Sequence, residues 1–139
     1  MIALTLPYPV SANRYWRPVR IGTHITIVPT SEAKKYRKQV IDAALAAGIV
    51  NPLLGRVAIS VRLYPHRPLD WAKRERLDPE GWDDTVQCLD LDNVNKVVLD
   101  SLKGVAIEDD KWVRSLTALR MRPDENGARL LVRIEQTQL

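Results

Sequence analysis

A chain of 139 residues, 45% hydrophobic and 27% charged, has the size and balance of one soluble globular domain with a core of its own. No apolar run approaches the ~20 residues that span a bilayer, and the N-terminus lacks a basic segment followed by a long apolar one, so a cytoplasmic protein without membrane contact is expected. The single Cys88 excludes an internal disulfide and two histidines leave no Cys/His zinc spacing, so any metal should be oxygen-bound, while a net charge of +4 despite 17 acidic residues favours a polyanionic partner where the basic groups cluster.

Ile2 to Leu6 alternates apolar and small residues as a first strand, stopped by Pro7 and Pro9. The following stretch, Ser11 to Arg20, is expected to be a loop. It interleaves Arg14, Arg17 and Arg20 with Tyr15 and Trp16, a mixture suited to gripping phosphates and stacking on exposed bases, although buried aromatics anchoring a surface loop produce the same pattern. Asn13 belongs to the same group. Thr23 to Val28 reads as a short strand, an edge candidate, ending at Pro29. Thr30 or Ser31 can cap a helix running to about Ala47, with Ala33, Tyr36, Val40, Ile41, Ala44 and Leu45 as its apolar stripe and Gly48 as its stop. Lys34, Lys35, Arg37 and Lys38 crowd its first half, as a DNA contact or a solvated face.

Arg56 to Tyr64 alternates clearly, with Val57, Ile59, Val61 and Leu63 inward, and is expected to be a central strand. Residues 65 to 87 show no clean periodicity and carry three prolines. They are expected to form a long, mobile loop near the DNA, with Trp71 and Trp82 packing it onto the body. Trp112 to Met121 reads as a strand, Pro123 to Gly127 as a turn and Ala128 to Gln136 as the returning strand. Arg114, Arg120, Arg122, Arg129 and Arg133 would line that hairpin, following a phosphate backbone or simply solubilising its outer face.

The chemistry concentrates in Cys88-Leu89-Asp90-Leu91-Asp92-Asn93-Val94-Asn95-Lys96-Val97-Val98-Leu99-Asp100-Ser101-Leu102-Lys103, followed by Ile107-Glu108-Asp109-Asp110. In an extended segment Asp90 and Asp92 point the same way while Leu89 and Leu91 point into the core. Asp92 or Asn93 suits the N-cap of a helix whose apolar positions are Val94, Val97, Val98 and Leu102. Lys96 and Asp100 follow Asp92 at four-residue steps on one face. Two unit charges about 4 Å apart repel by roughly 1 to 4 kcal/mol, so clustered carboxylates call for a positive partner, and Mg²⁺ with carboxylate and water ligands is the usual one. An ordinary capped helix with Asp–Lys pairs remains the plain alternative.

The block Leu-Asp-Leu-Asp-Asn-x-x-Lys-x-x-x-Asp-x-Leu at 89 to 102, with Asp109-Asp110 downstream and Leu6-Pro7-Tyr8-Pro9-Val10-Ser11-Ala12-Asn13-Arg14-Tyr15-Trp16 upstream, resembles the RusA family of Holliday junction resolvases. The resemblance implies that Asp90, Asp92 and Asp110 bind Mg²⁺, with Mn²⁺ as a possible substitute, and that Lys96 is the essential lysine. It implies DNA contacts from Asn13, Arg14, Tyr15, Trp16 and Arg17, and a homodimer acting on branched DNA. Two features depart from the pattern: Cys88-Leu89 stand where family members carry arginines, and the 65 to 87 loop is longer.

The element order implies one α/β (α+β) domain over residues 1 to 139, a two-layer arrangement of two main helices on a mixed sheet. The expected activity is metal-dependent phosphodiester hydrolysis that resolves four-way DNA junctions. A twofold dimer would supply the two active sites that such a junction needs. A non-catalytic DNA-binding module of the same fold is the alternative. An Asp-x-Asp-x-Val phosphatase of the haloacid dehalogenase type is set aside because the chain after Val94 is too short for its sheet. A calcium loop is set aside because Asn95 stands where glycine is needed.

Overall fold

The computed structural model describes residues 1–139. In chain order the elements are β1 (Ile2–Pro7), α1 (Ala12–Tyr15), β2 (Trp16–Ile21), β3 (His24–Pro29), α2 (Ser31–Ala46), β4 (Val57–Tyr64), α3 (Trp71–Leu77), α4 (Leu91–Leu102), β5 (Val113–Arg120) and β6 (Arg129–Gln136), with 3₁₀ turns at Trp82–Thr85 and Asp110–Trp112. Four strands form a mixed sheet in the order β1-β6-β4-β5. β4 pairs antiparallel with β6 and parallel with β5, and β6 pairs antiparallel with β1. The α+β class and the two main helices are as expected.

Period-two alternation places Val57, Ile59, Val61 and Leu63 of β4 beside Leu130, Val132 and Ile134 of β6, all buried. Against them lie Ala33, Tyr36 and Val40 of α2 and Val94, Val97, Val98 and Leu102 of α4, in one continuous core. The Thr30 cap is as expected, its hydroxyl accepting from the Ala33 N–H at 3.2 Å. Ile41 and Leu45 are exposed, so the buried stripe of α2 is narrower than its pattern suggests.

Three expectations are corrected. Trp16–Ile21 is a strand, not a loop: it pairs antiparallel with β3 as a separate two-stranded arm, turned at Gly22-Thr23 with Gly22 at φ +60°, the left-handed position that favours glycine. Residues 65 to 87 contain α3 and a 3₁₀ turn rather than an unstructured loop. Arg120 donates to the carbonyls of Asp83 and Val86 at 2.8 and 2.9 Å, and Arg122 to those of Pro79 and Glu80 at 3.2 and 2.7 Å, while Trp82 and Val86 are buried. Satisfied carbonyls and buried apolar side chains replace the local periodicity that this stretch lacks. Trp71 is half-buried, under the Arg67 guanidinium at 4.3 Å.

Thirdly, β5 and β6 are not a hairpin, because β4 lies between them. The arginines expected along it are largely engaged within the chain. Arg120 and Arg122 clasp residues 79–86, Arg129 forms a two-pronged pair with Asp124 at 2.7 and 2.9 Å, and Arg114 donates to the Leu139 carbonyl at 3.4 Å. The Arg129 guanidinium beside Asp124 holds that carboxyl down at about 2.

The Leu102 side chain closes the core where α4 ends. Leu102→Ala should lower stability by about 2 to 5 kcal/mol, measured as a fall in the urea unfolding midpoint at unchanged slope.

Candidate metal centre and nucleic-acid interface

Pro7, Tyr64, Arg120 and Arg129 lie at one end of the sheet, here the upper end, while Ile2, Val57, Val113 and Gln136 lie at the lower end. α4 begins at the upper end. The Leu89 N–H donates to the Tyr8 hydroxyl at 2.9 Å, just after Pro7, and Arg120 holds the backbone at Val86. Burial of Val94, Val97, Val98, Ser101 and Leu102 lays the helix along the sheet. It finishes at the lower end, where Ile107 bridges both Lys103 and Leu53, and Asp110–Trp112 leads directly into β5. Gly104, at φ +76°, makes the turn out of the helix.

Asp90 is the N-cap, with extended backbone (φ −69°, ψ 136°) and no side-chain capping bond. The cap therefore falls earlier than the expected Asp92 or Asn93, and Leu91 already belongs to the helix. Asp92 sits in the first turn, so nearness along the chain rather than strand alternation brings the two carboxylates to one place. Both are exposed, as is Lys96 one turn on, and none of the chain's ion pairs engages them. Two uncommitted carboxylates at a helix N-terminus, where the dipole favours negative charge, are chemically suited to a hard divalent cation.

Asp110 stands elsewhere. Asp109 caps the 3₁₀ turn through the Lys111 N–H at 3.2 Å and pairs with Lys103 at 3.7 Å. A hydrogen bond shared by the two neighbouring carboxyls raises Asp110 above the usual carboxylate range and lowers Asp109. Between Asp90 and Lys103 lie the 12 residues of α4, about 18 Å of helix. Asp90 and Asp92 thus occupy one end of α4 and Asp110 the other, and no three His, Cys, Asp or Glu side chains of the chain converge to hold a metal ion. The first pair fits Mg²⁺ in chemistry, whereas the third expected ligand does not join it within one chain.

The N-terminal block fixes α4 to the body. Tyr15 is buried and its hydroxyl donates to Asp100; burial, followed by this carboxylate, raises its pKa well above the ordinary tyrosine value, making the hydroxyl a weaker acid. The Tyr15 ring also packs edge-on against Trp16 at 4.4 Å. Tyr15 is therefore a core residue, where base stacking was expected. Asn13, Arg14 and Arg17 are exposed and Trp16 is half-buried, and Arg14 pairs with Glu32 at 3.0 Å. The Thr30 hydroxyl, donating to the Arg14 carbonyl at 2.6 Å, ties the base of the arm to α2. Tyr8 and Asp100 received no positioning role from the sequence. The signal was present in a tyrosine flanked by prolines, Tyr8, and in an aspartate on the face expected for Lys96. The largest hollow, about 300 Å³, lies on the far face of the sheet between Ser60, Thr117 and Arg133, away from every acidic residue considered above.

Tyr15→Phe should cost about 1 to 3 kcal/mol by leaving the part-buried Asp100 without its donor. Thermal unfolding of the two proteins checks this.

A family model described as Endodeoxyribonuclease RusA matches residues 7–135. The chain is 30% identical over 139 residues to the crossover junction endodeoxyribonuclease RusA of Shigella sonnei (strain Ss046), covering 96% of this chain and 93% of that protein. The same figures hold for the protein of that name from Escherichia coli (strain K12). A counterpart from Enterobacteria phage 82 is 30% identical over 134 residues, covering 96% and 92% of the two chains.

Proposed function

Because the chain belongs to the RusA endodeoxyribonuclease family, we propose that it resolves four-way DNA junctions by paired, symmetric, Mg²⁺-dependent phosphodiester cleavage, acting as a homodimer in the cytoplasm during recombination and repair. The observation that carries this reading is the acidic opening of α4, where Asp90 and Asp92 are exposed with their oxygens uncommitted, inside the span matched by the family model.

Asp90, Asp92 and Asp110 would hold Mg²⁺, with Mn²⁺ able to replace it. When bound, the ion orients a water and offsets charge developing on the attacked phosphate. Lys96, two α-helical positions from Val94 and one turn from Asp92, would stabilise that charge or position the water. Tyr8 and Tyr15 act through the backbone and Asp100 to fix the helix, and so are positioning residues. Arg14, Arg17 and Asn13, exposed on α1 and β2, would contact phosphates, with Trp16 beside them. The segment from Met1 to Ser31 contains no Asp or Glu, which suits a polyanion.

The test is a labelled synthetic four-way junction, set beside linear duplex of the same arm sequences, with Mg²⁺ or EDTA. Symmetric paired cuts in the junction alone, requiring metal, are expected. Asp90→Asn and Asp110→Asn should each abolish cutting while junction binding survives, and Arg14→Ala should chiefly weaken binding. Binding without cuts at any Mg²⁺ or Mn²⁺ concentration would support a non-catalytic DNA-binding module instead. Loss of binding in folded aspartate variants would count against their role as metal ligands.

A further inference from the structure

The β2–β3 arm stands off the body of the chain. Its base is closed by the Thr30 N–H, which donates to the Tyr15 carbonyl at 2.9 Å, and Trp16 and Pro29 are half-buried there. Beyond the base the two strands pair only with each other, and the 6 residues of β2 carry the arm outward by roughly 20 Å. The register sets Trp16 opposite Pro29, Pro18 opposite Ile27 and Arg20 opposite Ile25. Alternate positions share a face, so Pro18, Ile27 and Ile25 form one apolar strip running from the base toward the tip. Ile25 is 75% exposed and Ile27 67%. Nothing in the chain covers them, and an exposed apolar strip rimmed by polar residues marks an interaction surface.

The charges around the strip select its occupant. Arg17 and Arg20 are exposed, and none of the chain's ion pairs engages them. His24 stands beside the turn, Lys34, Lys35, Arg37 and Lys38 follow on α2, and no Asp or Glu occurs from Met1 to Ser31. A second arm would set these charges against their like, whereas a polyanion offsets them. That polyanion must also offer apolar surface, which in DNA is the face of a base. A stacked linear duplex hides base faces; a branch point interrupts the stack, and isoleucine and proline are among the side chains that enter between base steps as wedges. The arm is braced for such use. Pro18 fixes its own φ, and the Thr30 hydroxyl holds the Arg14 carbonyl at 2.6 Å. Tyr15, immediately before β2, donates to Asp100 of α4, so the arm is mounted on the helix that carries Asp90 and Asp92.

We propose that the strip formed by Pro18, Ile25 and Ile27 is a wedge that enters an unstacked base step at the branch point of the DNA, while Arg17 and Arg20 hold the flanking phosphates. These residues then determine the preference for branched over linear DNA. The inference rests on the function proposed above and adds which feature of the substrate is read, and by which side chains.

A synthetic four-way junction carrying 2-aminopurine, a base that brightens when unstacked, tests it. The probe is placed either beside the branch point or in the middle of an arm, with EDTA present to prevent cleavage. The wild-type protein is expected to brighten the branch-point probe and not the mid-arm probe. Ile25→Thr/Ile27→Thr, which keeps β-branched residues in the strand, is expected to lose that brightening. It should bind the junction about tenfold more weakly and linear duplex as well as before. Ile21→Thr, on the opposite face of the arm and paired with His24, should behave as wild type, and the circular dichroism spectra of both variants should match that of the wild-type protein. Equal losses on junction and duplex, brightening that survives in the double variant, or an equal effect of Ile21→Thr would overturn the wedge. So would altered sedimentation of the DNA-free double variant, which would assign the strip to a second copy. A wild-type protein that cuts the junction with Mg²⁺ but leaves the branch-point probe dark would overturn the wedge and leave the resolvase reading standing. One that brightens the probe yet never cuts would overturn the resolvase reading and leave the wedge standing.

Discussion

The burial of one face of α4 against the sheet is the constraint from which the arrangement of the acidic residues follows. Val94, Val97, Val98 and Leu102 are all buried, each worth about 1.5 to 3 kcal/mol relative to exposure when fully buried, so the helix has little freedom to slide or tilt. Asp90 is fixed at the end where the chain enters from residues 79–86, and Asp109-Asp110 at the end where it leaves for β5. The other contacts reinforce this placement. Tyr8 receives the Leu89 N–H, Tyr15 donates to Asp100, and Arg120 gathers the segment before the helix. A mutation in the N-terminal block can therefore disturb the acidic site without touching metal or DNA.

Much of this was legible because it is written in local periodicity. Val57, Ile59, Val61 and Leu63 alternate, and their strand is central; Val94, Val97, Val98 and Leu102 recur at helical spacing, and they face the core. Thr30 signalled the start of α2. What local patterns do not carry is the choice of partner. Nothing in Trp112 to Gln136 says that β4 separates the two strands, since a turn-rich stretch between two strands reads as a hairpin whether or not they pair. The 65 to 87 region escaped for a related reason: it is held by distant side chains, Arg120 and Arg122, rather than by its own periodicity. The β2–β3 arm was half visible, its first strand masked by Pro18 and by arginines that suggested a loop.

At the candidate site the residue types were legible and their geometry was not. The Asp-Leu-Asp-Asn block and the Asp-Asp pair stand out in the sequence, but a linear motif does not say whether its members meet. Here Tyr15, counted among DNA-contacting residues, is in the core, and Asp110 lies across the length of α4 from Asp90. Motif membership and spatial convergence are separate properties.

Hydrogen–deuterium exchange at the backbone amides of Val94–Leu102 in the wild-type protein tests this account most directly. With one face of α4 buried against the sheet, these amides should be protected to a degree comparable with those of β4, and Tyr15→Phe should speed their exchange. Amides of α4 that exchange as fast as those of an exposed, fraying helix would contradict it.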